Sequence, residues 1–218
     1  MIAEVLPSWS ESLNEIARHL GGAESLVDLS PDSLARVTGV DMSNEEPFQI
    51  LIDSLREEAN LSGVGAILAR TELIRAIRGR AAILRWSEST NRDQTSFNGP
   101  SSLAPLIIIG GARSGTSALL RHLSNWPDVK APNTVEILYP EVLDSCPTSS
   151  VELVRSITKQ DRLWDLLDPS FTSQHLNRGD LPSECLPILS CGFQSHHWTG
   201  CYRIPSYSKY LADCGFQN

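Results

Sequence analysis

The sequence predicts a helix-dominated α/β fold. Residues 1–100 form an all-helical region, and residues 101–218 form a P-loop-type unit with only an incomplete parallel sheet. Three observations lead there. The first hundred residues carry helical spacing of apolar residues and no strand-like alternation. Leu106 to Ile109 is a continuous apolar run, as in a strand buried on both faces, and it is followed by Gly110-Gly111 and a helical pattern at Ala118, Leu119 and Leu123. Leu106–Gly110 is also the single convincing strand in the chain, too little for a full doubly wound sheet.

In chain order, Ser8 caps a first helix through His19, and Gly21-Gly22 ends it. Ser30-Pro31-Asp32 opens a second helix, with Ser30 at the N-cap, Pro31 at the first position and Gly39 as the stop. Asn44-Glu45-Glu46-Pro47 starts a third, whose buried stripe is Phe48, Leu51, Ile52 and Leu55. A longer helix runs from about Val64 to Trp86, with Ile67, Ile74, Ile77, Ala81 and Leu84 inward. Its arginines at 70, 75, 78, 80 and 85 read as a solvated face that pairs with acids such as Glu57 and Glu58, or alternatively as a site wall or subunit contact. Ser87–Ser102 is Ser-, Asn- and Gly-rich and reads as a linker.

The strand, Gly-rich turn and helix of 106–123 are the arrangement that converges backbone N–H groups on an anion. Gly110, four residues and Gly115 fit half of a Walker A motif, but Thr116 stands where the Lys belongs. Arg113 is the cation inside the loop, and its planar guanidinium suits paired phosphate or sulfonate oxygens. Beyond it, Asn125–Asp128 reads as a helix exit and Val129–Pro132 as a brief strand. Val151–Leu167 forms a helix ended by Asp168-Pro169. Pro182 and Glu184 start another, and a helix with Phe193, His196, His197 and Trp198 follows. His175, His196 and His197 read as structural hydrogen-bonded groups or as acceptor contacts, and Trp198 and Tyr202 as core or as an apolar acceptor lining.

Composition narrows the function classes. Of 218 residues, 41% are hydrophobic and 20% charged, as in a folded globular protein. No apolar run approaches the ~20 residues of a membrane span, and the N-terminus lacks a basic signal region, so a cytoplasmic location is expected. A net charge of −8 disfavours nucleic acid as a partner. The five cysteines contain no C-x-x-C, so reduced thiols are expected. Cys191, His196, His197 and Cys201 match no common zinc spacing, and no metal is expected.

Ile109 to Ser117 resembles the Pro-Arg-Ser-Gly-Thr-Thr loop of bacterial sulfotransferases, with Ala112 in place of the Pro and Ser117 in place of the second Thr. Short stretches in the family's order extend the resemblance: Thr38–Asp41 and Leu61-Ser62 before the loop, then an Ala-Pro…Glu…Pro segment around Glu136, Asp180–Cys185, and Ile204–Tyr207. The resemblance implies a sulfonate transfer from 3′-phosphoadenosine 5′-phosphosulfate (PAPS) to a hydroxyl or amine on a small molecule, lipid or saccharide. It implies that Gly111, Ala112, Arg113, Ser114, Gly115, Thr116 and Ser117 hold the 5′-phosphosulfate, with Arg113 also acting in catalysis. It makes Glu136 the base that takes the acceptor's proton, and its apolar neighbours Val135, Ile137 and Leu138 would tune it. The residues alone equally allow Glu136 to cap the next helix. The resemblance covers the family's N-terminal portion and stops before its 3′-phosphate segment, so a fragment, a split gene product or a degenerate copy with weak or no turnover is expected. Two other readings are a variant P-loop nucleotide kinase or NTPase, and a non-catalytic helical interaction protein with a vestigial loop. Oligomeric state has no signature here.

Overall fold

The computed structural model describes residues 27–92, 106–111, 114–141, 154 and 179–215. The expected helices at 8–19 and 151–167 lie outside these, apart from Val154, which is helical; His175, Ala112 and Arg113 lie outside them too. The chain divides into two compact units, residues 1–80 with 189–218, and residues 81–188. Residues 189–218 therefore group with residues 1–80.

In the first unit α1 spans Pro31–Thr38, with Ser30 accepting from the Ser33 N–H and Gly39 closing it at φ 71. Only a residue without a Cβ adopts that left-handed cap freely. α2 spans Glu46–Glu57 and buries Phe48, Leu51, Ile52 and Leu55, the stripe expected from spacing. α3 spans Gly63–Arg92 and starts where Ser62 Oγ accepts from the Gly65 N–H at 3.2 Å. It overruns the expected linker by six residues, 87–92, because nothing from Ser87 to Arg92 is a Gly or Pro.

The buried face of α3 differs from the expected one. Ala69, Leu73, Ala76 and Ile77 are buried, while Leu84 is half exposed. Ile77 is buried as expected, and Ile67, Ile74 and Ala81 are half-buried; the rest of the packed face is Leu73 and alanines, which bring helix backbones close. The arginines of α3 are neither a purely solvated face nor partners of Glu57 and Glu58. Arg70 is buried and donates to the Asp28 carbonyl, Arg75 to Ser190 Oγ at 3.2 Å, Arg78 to the Val37 carbonyl at 3.2 Å, and Arg80 pairs with Glu45 at 2.9 Å. These four arginines lie at or before residue 80 and tie that part of α3 to four residues of the first unit. Glu58 caps a different helix, accepting from the Ser206 N–H at 3.0 Å and from its hydroxyl.

Around this frame Trp198, Tyr207, Phe193 and Ile204 complete the core. Phe193 sits at φ 57, a backbone region costly for a bulky residue. It is held there by an edge contact with Phe48 at 5.2 Å, by stacking on Trp198 at 6.3 Å, and by its carbonyl, which accepts from Tyr207 Oη at 2.7 Å. Phe193 thus ends the short 3-10 turn Ser190–Gly192 rather than joining the next helix.

In the second unit α4 spans Thr116–Leu123, α5 spans Thr134–Leu138, and α6 spans Leu186–Leu189. The helix expected at Pro182 begins four residues later, because Pro182 is engaged in an antiparallel bridge with Asn133. Back in the first unit, α7 spans His196–Cys201 and α8 spans Pro205–Gly215.

The expected strands are corrected. Among the described residues no strand forms, and the Asn133–Pro182 bridge is isolated. Leu106, Ile107 and Ile109 are 73%, 71% and 90% exposed, not buried on both faces. A strand exists only by pairing, so an apolar, β-branched run without a described neighbour satisfies the propensity and not the structure. Val129–Pro132 likewise forms no strand: Val129 N–H donates to the Trp126 carbonyl and the Pro132 carbonyl accepts from the Ser183 N–H, both at 3.1 Å. Among the described residues no helix is long and apolar enough to cross a membrane.

Candidate functional site

The phosphate loop is built from its glycines outward. A Cβ on Gly110 would lie 2.7 Å from both Ser114 Oγ and Thr116 Cγ2, so any other residue here would have to push those side chains out of place. A Cβ on Gly111 would meet nothing within 4 Å. The Gly111 carbonyl accepts from the Ser114 N–H at 3.2 Å, which closes the turn. Gly115 then sits at φ 90 as the N-cap of α4, and as a glycine it offers no side chain to the helix.

That cap leaves anion chemistry available. The first backbone bond of α4 runs from Leu119 N–H to the Gly115 carbonyl, so the Thr116, Ser117 and Ala118 amides have no intrahelical acceptor. The first turn carries no acidic residue, and Arg121 and His122 lie at the C-terminal end, where they complement the dipole. Three amides without an intrahelical acceptor and two hydroxyls thus stand in the first turn of this eight-residue helix, at the positive end of its dipole. Ala112 and Arg113 belong to the same loop but lie outside the described residues.

Glu184 was missed as a neighbour of this loop. Ser117 Oγ donates to Glu184 Oε1 at 3.4 Å, across 67 residues of sequence. The sequence offered it only as helix-start chemistry, and pairing over such a separation leaves no local signal.

Glu136 is half-buried in the first turn of α5. It forms a reciprocal capping box: Asn133 Oδ1 accepts from the Glu136 N–H at 3.0 Å, and Glu136 Oε2 accepts from the Asn133 N–H at 2.8 Å. The capping role is therefore real. It engages Oε2 and leaves Oε1 without a described partner. The turn is anchored by Thr134 N–H to the Leu181 carbonyl at 3.0 Å and Val135 N–H to the Gly179 carbonyl at 3.1 Å. Gly179 must be small, since a Cβ there would lie 3.1 Å from both Val135 Cγ2 and the Val154 Cα.

The aromatic and histidine residues of the other unit take structural places. Trp198 is fully buried, stacked between Phe193 and Tyr202. His196 is exposed, while His197 Nε2 lies 3.2 Å from Glu72 Oε1. Tyr202 Oη donates to Glu72 Oε2 at 3.4 Å. Burial alone would raise the Glu72 carboxyl, but the His197 hydrogen bond and charge, with Arg75 and Tyr202, outweigh it and hold the group below its ordinary value. Burial, and then the Glu72 charge, push the Cys201 thiol and the Tyr202 phenol up.

Residues 105–215 match the sequence profile of the sulfotransferase family. No curated protein matches the chain. The chain is similar to the crystal structure of a sulfotransferase from Mycobacterium tuberculosis H37Rv (type 1 form), with 21% identity and a TM-score of 0.58 over 83% of this chain. At that identity the likeness concerns the fold, and the chain spans half the length of the solved protein. With the profile covering half of its residues, the phosphate loop included, the chain belongs to the sulfotransferase family.

Proposed function

We propose that this protein binds PAPS and serves sulfonate transfer to a hydroxyl or amine acceptor. The observation that carries the proposal is the α4 N-terminus: a glycine cap at φ 90, amides without intrahelical acceptors, and a Gly110 whose Cβ would press on Ser114 Oγ and Thr116 Cγ2. These fit a phosphosulfate, whose oxygens accept several N–H bonds at once. Thr116 and Ser117 add hydroxyl donors, and Arg113 adds the charge that the missing Walker lysine would have supplied. The same lysine-free loop makes the NTPase reading the weaker one.

PAPS supplies the sulfonate and departs as 3′-phosphoadenosine 5′-phosphate (PAP) when the acceptor oxygen or nitrogen bonds to sulfur. The loop donors stabilise the charge that grows on the departing phosphate oxygen. Glu136 takes the acceptor's proton on Oε1, while Oε2 keeps the Asn133 amide and fixes the carboxylate's orientation. Ser117 exchanges its Glu184 partner for the anion. The acceptor is a small molecule, lipid or saccharide bearing a hydroxyl or amine.

The test is PAP binding by calorimetry on the 218-residue chain and on Arg113→Ala. Binding by the parent chain, weakened at least tenfold in the variant, supports the proposal. PAP binding that Arg113→Ala leaves unchanged, or no PAP binding at all, overturns it.

A further inference from the structure

The second cluster of reactive side chains lies in the other unit and has no part in the sulfonate scheme. Glu72 comes from the middle of α3, and His197 and Cys201 stand four residues apart on one face of α7. Their ligand atoms, a carboxylate oxygen, an imidazole nitrogen and a thiol sulfur, all lie within 4.8 Å of one another. We propose that Glu72, His197 and Cys201 form a Zn²⁺ site that ties α7 to α3.

The donor set suits zinc, which binds carboxylate, imidazole and thiolate in tetrahedral sites. Bonds of about 2.0–2.3 Å at tetrahedral angles put neighbouring ligand atoms about 3.3–3.5 Å apart. The His197 Nε2 to Glu72 Oε1 distance is already 3.2 Å. The widest separation needs to close by roughly 1 Å, which side-chain rotation supplies. A carboxylate that holds its ligand is itself usually held by a second hydrogen bond. Tyr202 provides one, donating to Glu72 Oε2 and turning Oε1 toward His197. Water fills the fourth position. Arg75 is the cation that acts on Glu72 from the same helix, and it opposes a divalent ion; its Nη2 is drawn off to Ser190 Oγ at 3.2 Å.

The bond made is Cys201 Sγ to zinc, and the bond broken is S–H, whose proton leaves to solvent. No oxidant or reductant takes part. Sequence spacing within residues 191–201 gave no zinc pattern because the third ligand comes from 125 residues upstream of His197.

The experiment is titration of the 218-residue chain with Co²⁺ and Zn²⁺ under reducing conditions. The expected result is one Co²⁺ bound per chain with a sulfur-to-cobalt charge-transfer band, displaced by Zn²⁺ of micromolar affinity or tighter, with release of about one proton per metal. Cys201→Ser abolishes the band, and Glu72→Gln and His197→Gln weaken Zn²⁺ binding about 10- to 100-fold. Circular dichroism checks each variant's fold; should the Glu72 or His197 variant unfold, Cys201→Ser, at an exposed position, decides. A band that survives Cys201→Ser places the metal on other cysteines and overturns the proposal. So does Zn²⁺ binding weaker than micromolar, or equal binding by all three variants.

Discussion

Replacing Gly110 by alanine is expected to impair the phosphate loop while leaving the helical units folded. The new methyl would sit 2.7 Å from Ser114 Oγ and from Thr116 Cγ2, well inside van der Waals contact. The strain is relieved by rotating Thr116 and Ser114 or by moving the turn. Either response displaces a hydroxyl or an amide that faces the anion. Losing one such donor to a charged ligand costs about 1.5–3 kcal/mol, which corresponds to a roughly 10- to 150-fold loss of PAP affinity. Gly111→Ala is the matched control, because a Cβ there meets nothing within 4 Å. Calorimetric titration with PAP reads the affinities, and thermal melting confirms the fold. The loop is exposed, so the melting temperature of Gly110→Ala should stay close to that of the parent. Affinity unchanged in Gly110→Ala, or reduced equally in Gly111→Ala, would refute the steric argument.

Two further outcomes concern the first unit. Tyr207→Phe removes a buried hydroxyl that donates to the Phe193 carbonyl at 2.7 Å and accepts from the Ser195 N–H at 3.2 Å, so chemical denaturation should show a loss of about 1–3 kcal/mol; an unchanged midpoint would mean that Phe193 holds its φ of 57 without it. Asp28 is held below the ordinary carboxylate value of 3.8 first by the Ser30 N–H, against a smaller effect of burial, with Ser30 and Ser33 hydroxyls and Arg70 assisting. A lowered folded pKa stabilises the fold above the unfolded value, and that contribution disappears as pH falls through the folded one. Urea melts across this acid range should therefore show a shallower decline in Asp28→Asn than in the parent, and an identical decline would contradict the assignment.

Local chemistry was legible and distant pairing was not. The Ser30 cap, the Pro31 start and the Gly39 stop all act within one turn, and all were readable in order. The α2 stripe was equally plain, since Phe48, Leu51, Ile52 and Leu55 are large and helically spaced. On α3 the same reasoning holds for Ile77 and not for Leu84, because Ala69 and Ala76, too small to stand out in the pattern, share the buried face. The α3 arginines failed for another reason: Asp28, Val37, Glu45 and Ser190 are their partners, and three of those contacts span 35 to 42 residues. At the loop, the turn at Gly110-Gly111 and the helix that follows Gly115 were readable because glycine conformation and helical spacing act locally. The Glu184 contact with Ser117 and the Glu72 contact with His197 were not, since each joins residues that only the fold brings together. The apolar run Leu106–Ile109 carried a strand's composition without a described strand to pair with.

The central claim is that the lysine-free loop of this sulfotransferase-family chain accepts a phosphosulfate nucleotide rather than an ordinary triphosphate. Equilibrium competition between PAP and ATP, with and without Mg²⁺, measures it directly on the parent chain. The account predicts that PAP binds without Mg²⁺ and that excess ATP–Mg²⁺ fails to displace it. Mg²⁺-dependent ATP binding with no affinity for PAP would contradict it.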